Sequence, residues 1–179
     1  MPVQTLKLIP FPAAKIPALE ITGKITWQGS LLSMQYSVIG EIEKILVPKP
    51  TDSAARKHDL WKATCFEFFL AHKERLEYWE CNLSPSGDWN LYAMDAYRQV
   101  NMREESAFSQ LPFEFAKTKN ELSLSTAVNL SRLLSPLQPL QIGITAIIQT
   151  ADGNETYWAL AHSGTQADFH LRESFVIEL

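Results

Sequence analysis

A chain of 179 residues with a formal net charge of −4 has no basic surplus with which to release counterions from a phosphate backbone or an anionic membrane. At 46% hydrophobic and 20% charged residues it has the composition of an ordinary soluble globular protein, long enough for one domain with a sizeable core. Nucleic acid and membrane are therefore set aside as partners, and one domain over 1–179 is expected.

The N-terminal stretch "MPVQTLKLIPFPAAKIPALEITGKI" is broken by Pro2, Pro10, Pro12 and Pro17. No apolar run follows a basic start, so no signal peptide is read, and no stretch approaches the ~18–20 apolar residues of a membrane span. A cytoplasmic location is the expectation. Cys65 and Cys81 fall in expected strands: two buried thiols suit a reducing cytosol, and a disulfide suits neighbouring strands. Neither shows zinc-ligand spacing.

Side chains alternate with period two along most of the chain. Strands are expected at 31–40, 64–70, 76–84, 88–98, 121–130, 140–150, 155–162 and 174–179. In the first of these, Leu32, Met34, Tyr36 and Val38 share a face. Turn signals separate the strands: "SPSGD" at 84–88, "TKN" at 118–120 and "ADGN" at 151–154, the last centred on Asp152-Gly153 as a hairpin. A short helix at 53–58 and one helical turn after a cap at Asn129 or Ser131, stopped by Pro136, are the helical expectations. Short strands at this spacing predict an all-β, two-sheet antiparallel β-sandwich.

Alternation also sorts three consecutive strands into faces. Phe66, Phe68, Trp79, Leu83 and Leu91 go to the core. Glu67, Tyr78, Glu80, Asn82, Asn90 and Tyr92 go to the opposite face, with Arg98 at the end of the third strand within reach. That face is either a solvated outer surface or a sugar site. Carboxylates and amides bond hydroxyls, and the nearby Trp61 and Trp89 offer rings for stacking. Trp158 and His162 share a side if the 155–162 strand is regular. His162, Asp168 and His170 have the ligand types of a metal site but nothing that fixes a geometry.

The segments "RKHDLWKATCFEFFL", "YWECNLSPSGDWNLYAMDAYR" and "YWALAHSGTQADFH" resemble DOMON-like domains related to family 9 carbohydrate-binding modules, in particular stand-alone bacterial members. The resemblance spans roughly 56–179, with a first strand around 31–40. It implies a jelly-roll-like sandwich with a ligand site on one sheet face or its rim. In sugar-binding members a Trp and a Glu six residues later sit at the site, which Trp61 and Glu67 match. A second Trp near the C-terminus sandwiches the sugar there; Trp158 or Phe169 would take its place. Asn and Arg partners would be Asn82 and Arg98. The chain departs from the pattern at Ala63 and Thr64, where those members carry an acidic residue, and matches no calcium site.

The leading expectation is a non-catalytic module for a carbohydrate or other small polyhydroxylated ligand. Its candidate residues are Trp61, Glu67, Glu80, Asn82, Arg98, Trp158 and His162; it needs no cofactor and no metal. The alternatives are a protein-interaction scaffold, a haem-binding redox domain using Met94, His162 or His170, and a glycoside hydrolase using Glu67 and Glu80 as paired carboxylates. The oligomeric state is left open.

Overall fold

The computed structural model describes residues 4–98, 102–134 and 138–179. Period-two patterning becomes twelve strands among them: β1 (Gln4–Pro10), β2 (Leu19–Gln28), β3 (Leu31–Gly40), β4 (Cys65–His72), β5 (Tyr78–Leu83), β6 (Trp89–Met94), β7 (Arg103–Glu104), β8 (Phe113–Lys117), β9 (Glu121–Asn129), β10 (Leu140–Gln149), β11 (Glu155–Ala159) and β12 (Ile177–Glu178). The strands pair antiparallel throughout, in the order β7-β6-β5-β4-β10-β11-β1-β2-β3-β9-β8, with β12 also on β10.

The path is one curled sheet because β1 serves two neighbours in turn. Gln4–Leu8 pair with β2, while Ile9 and Pro10 pair with Ala159 and Trp158 of β11. The strands on either side of β1 thus fold toward each other over one apolar core. Leu32, Met34, Tyr36 and Val38 of β3 enter it as their alternation predicts, opposite Phe66, Phe68 and Leu70 of β4 and Ile142, Ile144 and Ile148 of β10. The approach is close at Gly23, where a Cβ would stand 3.4 Å from the Ile144 side chain. The Tyr36 and Phe66 rings lie 5.1 Å apart. Tyr36 Oη donates a 2.5 Å hydrogen bond to the Glu67 carbonyl, tying β3 to β4 across the core.

Local elements differ from expectation in several places. β1 and β2 precede the strand expected to come first, and β7 and β8 were not foreseen. No helix forms at 53–58; a single 3-10 turn follows at Leu60–Lys62 instead. Asn129 does cap a turn, its Oδ1 accepting from the Ser131 N–H at 3.0 Å. The stop at Pro136 lies outside the described residues. The 151–154 hairpin closes as expected, with Gly153 at φ 82, a left-handed conformation that costs glycine little. Cys81 points into the core and Cys65 to the other face, so alternation keeps these two free thiols apart. No helix among the described residues is long and apolar enough to cross a membrane.

The cross-core contacts set the expected stability losses. Phe66→Ala should cost ~3–5 kcal/mol through lost transfer energy and a residual cavity. Tyr36→Phe should cost about 1–2 kcal/mol, the worth of one buried hydrogen bond. Urea unfolding of each variant reads both, and a Phe66→Ala protein as stable as the parent would contradict this packing.

Candidate ligand-binding site

The face of β4–β6 turned away from the core carries the residues that alternation assigned to it. Cross-strand register lines up Glu67 with Asn82 and Asn90, Phe69 with Glu80 and Tyr92, and Ala71 with Tyr78 and Met94. It is not a solvated face. Glu67 is 2% exposed and Glu80 5%, and Asn82, Asn90, Tyr78 and Tyr92 are buried with them. Two irregular segments cover the face, one before β4 and one after β11.

From the first segment, the Arg56 guanidinium donates to Asn90 Oδ1 at 2.9 Å and to the carbonyls of Glu105 and Phe108. It also lies 4.2 Å above the Trp89 ring, so Trp89 is a structural platform on the core side. His58 Nδ1 is 2.9 Å from Tyr92 Oη, and Trp61 meets Tyr92 edge-on at 6.0 Å. From the second segment, His170 Nδ1 is 2.8 Å from Tyr78 Oη and its ring stands edge-on to Phe69 at 5.4 Å.

Between the two covers remains a cavity of about 370 Å³. Its apolar walls are the rings of Trp61, Phe69, Tyr157 and Phe169, with Met94, Met102, Ala167 and Ile147. Its polar groups are Glu67, Glu80, Arg98 and His170. Glu67 Oε2 accepts from Thr145 Oγ1 at 3.2 Å, whereas Oε1 is buried and accepts no hydrogen bond among the described residues. Glu80 Oε1 accepts from Asn82 Nδ2 at 2.8 Å, and its Oε2 is 3.7 Å from His170 Nε2.

At the rim, Arg98 sits at φ 45 and grips Asp168 with two groups, Nε to Oδ2 and Nη2 to Oδ1, each at 3.1 Å. Tyr97 donates to the same Asp168 at 2.6 Å. Asp168 therefore belongs to a clasp between the segments after β6 and after β11.

Burial dominates the protonation of this site. It drives the Glu67 carboxyl far above its ordinary value, and the neighbouring Glu80 charge adds to the effect. Burial raises Glu80 to about 7 against the opposing pull of the Asn82 bond and the Arg98 charge. Burial and then the Arg98 charge depress His170 to about 4, so it is a neutral imidazole at pH 7. Asp168 is pushed up by burial, but the bonds from Arg98 and Tyr97 outweigh this and keep it ionised.

Of the residues singled out in the sequence, the fold brings together Trp61, Glu67, Glu80 and Arg98 around the cavity. Asn82 lies beneath it, fully buried, and holds Glu80. Trp158 and His162 do not join them. Trp158 stands opposite Ala146 and faces the core, its indole N–H donating to Thr156 Oγ1 at 3.0 Å. Tyr157, its neighbour, takes the cavity side beside Ile147. β11 ends at Ala159, so His162 is beyond the regular strand; its Nε2 is 2.9 Å from the Ile9 carbonyl and its ring packs edge-on against Phe11.

Phe69 was absent from the expected set although it shares the Glu67 side of β4. Among the described residues no three His, Cys, Asp or Glu side chains group as a metal site. The metal trio is split in particular: Asp168 is in the clasp, His170 is in the cavity wall and His162 is outside it.

No family model and no curated protein matches the chain. Solved structures do. A proposed carbohydrate-binding protein from Bacteroides uniformis superposes with a TM-score of 0.61 at 12% identity, covering 96% of this chain and 84% of that one. A family 9 carbohydrate-binding module from Caldicellulosiruptor kristjanssonii, in complex with glucose, superposes at 0.52 with 10% identity, over 92% and 78% of the two chains. A module of the same family and organism, in complex with cellotriose, gives 0.51 at 10% identity, over 88% and 71%. The chain thus shares its all-β antiparallel fold with family 9 carbohydrate-binding modules.

Proposed function

We propose that the cavity over β4–β6 binds a carbohydrate or another small polyhydroxylated ligand and performs no chemistry on it. In this reading the chain is one jelly-roll-like sandwich domain with the site on one face. The observation that carries it is an aromatic-walled cavity lined by Glu67, whose buried Oε1 has no hydrogen-bond partner among the described residues. A buried carboxyl oxygen without a donor costs ~1–3 kcal/mol, and a ligand hydroxyl relieves that cost. Trp61 and Tyr157 supply ring faces for the C–H surface of a sugar, Glu67 and Glu80 bond its hydroxyls, and Asn82 keeps Glu80 in place. Arg98 and Asp168 hold the rim. The complexes of the family 9 modules with glucose and cellotriose support the ligand class.

Titration of the protein with a panel of neutral and amino sugars, followed by tryptophan fluorescence, should give a saturable change. Trp61→Ala should weaken binding by roughly ten-fold, equivalent to ~1.4 kcal/mol. Silence toward every sugar in the panel would sink the proposal.

The carboxyl proton gives a second test. An acid raised from 4.5 to about 7 on folding holds its proton in the native state over that interval while the unfolded chain has lost it. Its contribution is full below pH 4.5 and is lost as pH rises through about 7. His170 acts in the opposite sense: its contribution is full above 6.5 and lost as pH falls toward about 4. Because His170 is present in both proteins, comparison with Glu80→Gln isolates the carboxyl. Between pH 4.5 and 7 the parent should lose on the order of 2–3 kcal/mol relative to that variant, measured by urea unfolding in the absence of ligand. Parallel pH profiles would show that Glu80 ionises freely.

A further inference from the structure

We infer that the ligand of this cavity carries a protonated amine, so that the site selects an amino sugar, or a related polyhydroxylated amine, over its neutral counterpart. The inference rests on the proposed sugar site and adds charge to it. Two carboxyl groups, Glu67 and Glu80, reach the same cavity from adjacent strands. Among the described residues the one cationic side chain in the lining is Arg98, and its fork is committed to Asp168 at the rim. His170, which approaches Glu80, is neutral. Among the described residues the lining therefore has two acidic groups, and its one cation, whose charge reaches Glu80, is bonded to Asp168 rather than to either of them.

The walls fit the same ligand. Trp61, Phe69, Tyr157 and Phe169 line the same cavity as Glu67. Aromatic faces attract an ammonium through the ring quadrupole, most strongly where water is excluded. They give a neutral hydroxyl no comparable gain. An ammonium N–H donated to Glu67 Oε1 would satisfy the buried oxygen that the protein leaves unpaired.

Protons must balance. In the empty cavity burial keeps Glu67 protonated near neutrality and raises Glu80 to about 7, so an ammonium arriving at Glu67 ionises that carboxyl and displaces its proton to solvent. The titratable groups that face the pair are Cys65 on β4, Tyr78 on β5, Tyr92 on β6, Tyr157 on β11, and Arg98 and His170 in the connecting segments. Burial holds Cys65 and the three tyrosines in their neutral forms. His170 has already lost its proton and Arg98 keeps its own. The displaced proton thus comes from Glu67, the carboxyl that receives the ammonium. A neutral sugar displaces none.

Isothermal titration of the full chain with D-glucosamine, N-acetylglucosamine, glucose and cyclohexylamine, at pH 7 in two buffers of different ionisation enthalpy, tests this. Glucosamine should bind about ten-fold more tightly than glucose or N-acetylglucosamine, release close to one proton, and weaken as pH is lowered to 5. Glu67→Gln should abolish both the preference and the proton release, and Glu80→Gln, with a different cavity wall intact, guards against a folding failure of the first variant. Glucose binding as well as glucosamine with no proton release would overturn the amine inference and leave the sugar reading standing. Cyclohexylamine binding with proton release while no sugar binds would keep the amine site and remove the sugar. No binding by any of the four probes would defeat both.

Discussion

A β-strand cannot turn two successive side chains to the same side, and on β4 that rule bears on both sides at once. Every residue from Cys65 to Ala71 is buried. Phe66, Phe68 and Leu70 pack into the core that joins the two arms of the curled sheet, so Cys65, Glu67 and Phe69 must occupy the other side. A strand this deeply enclosed cannot leave its polar face to water. The two segments laid over β4–β6 supply the enclosure, and the cavity is the space they leave unfilled.

The same rule explains what was legible in the sequence. The faces of β3, β4, β5 and β6 follow from period two, since each strand is regular and one set of residues is strongly apolar. Glu67, Asn82 and Asn90 fall into one cross-strand row because the hairpins joining these strands keep their register. The covers were not legible. Residues 56–62 and 164–175 have no periodicity, and their placement depends on contacts distant in sequence, such as Arg56 with Phe108 and His170 with Tyr78. Without them the polar face reads as a solvated surface.

The misplaced tryptophan is a matter of phase. Trp158 and Tyr157 are adjacent, either ring could stack on a ligand, and alternation cannot say which side of a short strand is the core. Pairing with β10 decides it: Trp158 opposite the small, buried Ala146, Tyr157 opposite Ile147. Of the two rings that the resemblance offered, Phe169 lines the cavity and Trp158 does not; the ring that β11 contributes there is Tyr157.

What distinguishes the cavity from a structural polar cluster is how unevenly its groups are satisfied. Asn90 has donors and acceptors on all sides from Arg56, Lys57 and Glu104, and Asp168 is gripped by Arg98 and Tyr97. These networks close on themselves and stabilise the covers. Glu67 and Glu80 sit between them with few partners, and burial favours the protonated form of each. A core built only for stability would place an apolar residue at Glu67, because a half-satisfied buried carboxyl is worse than none. Its presence in the lining of a cavity with aromatic walls is explained if the missing partner arrives from outside.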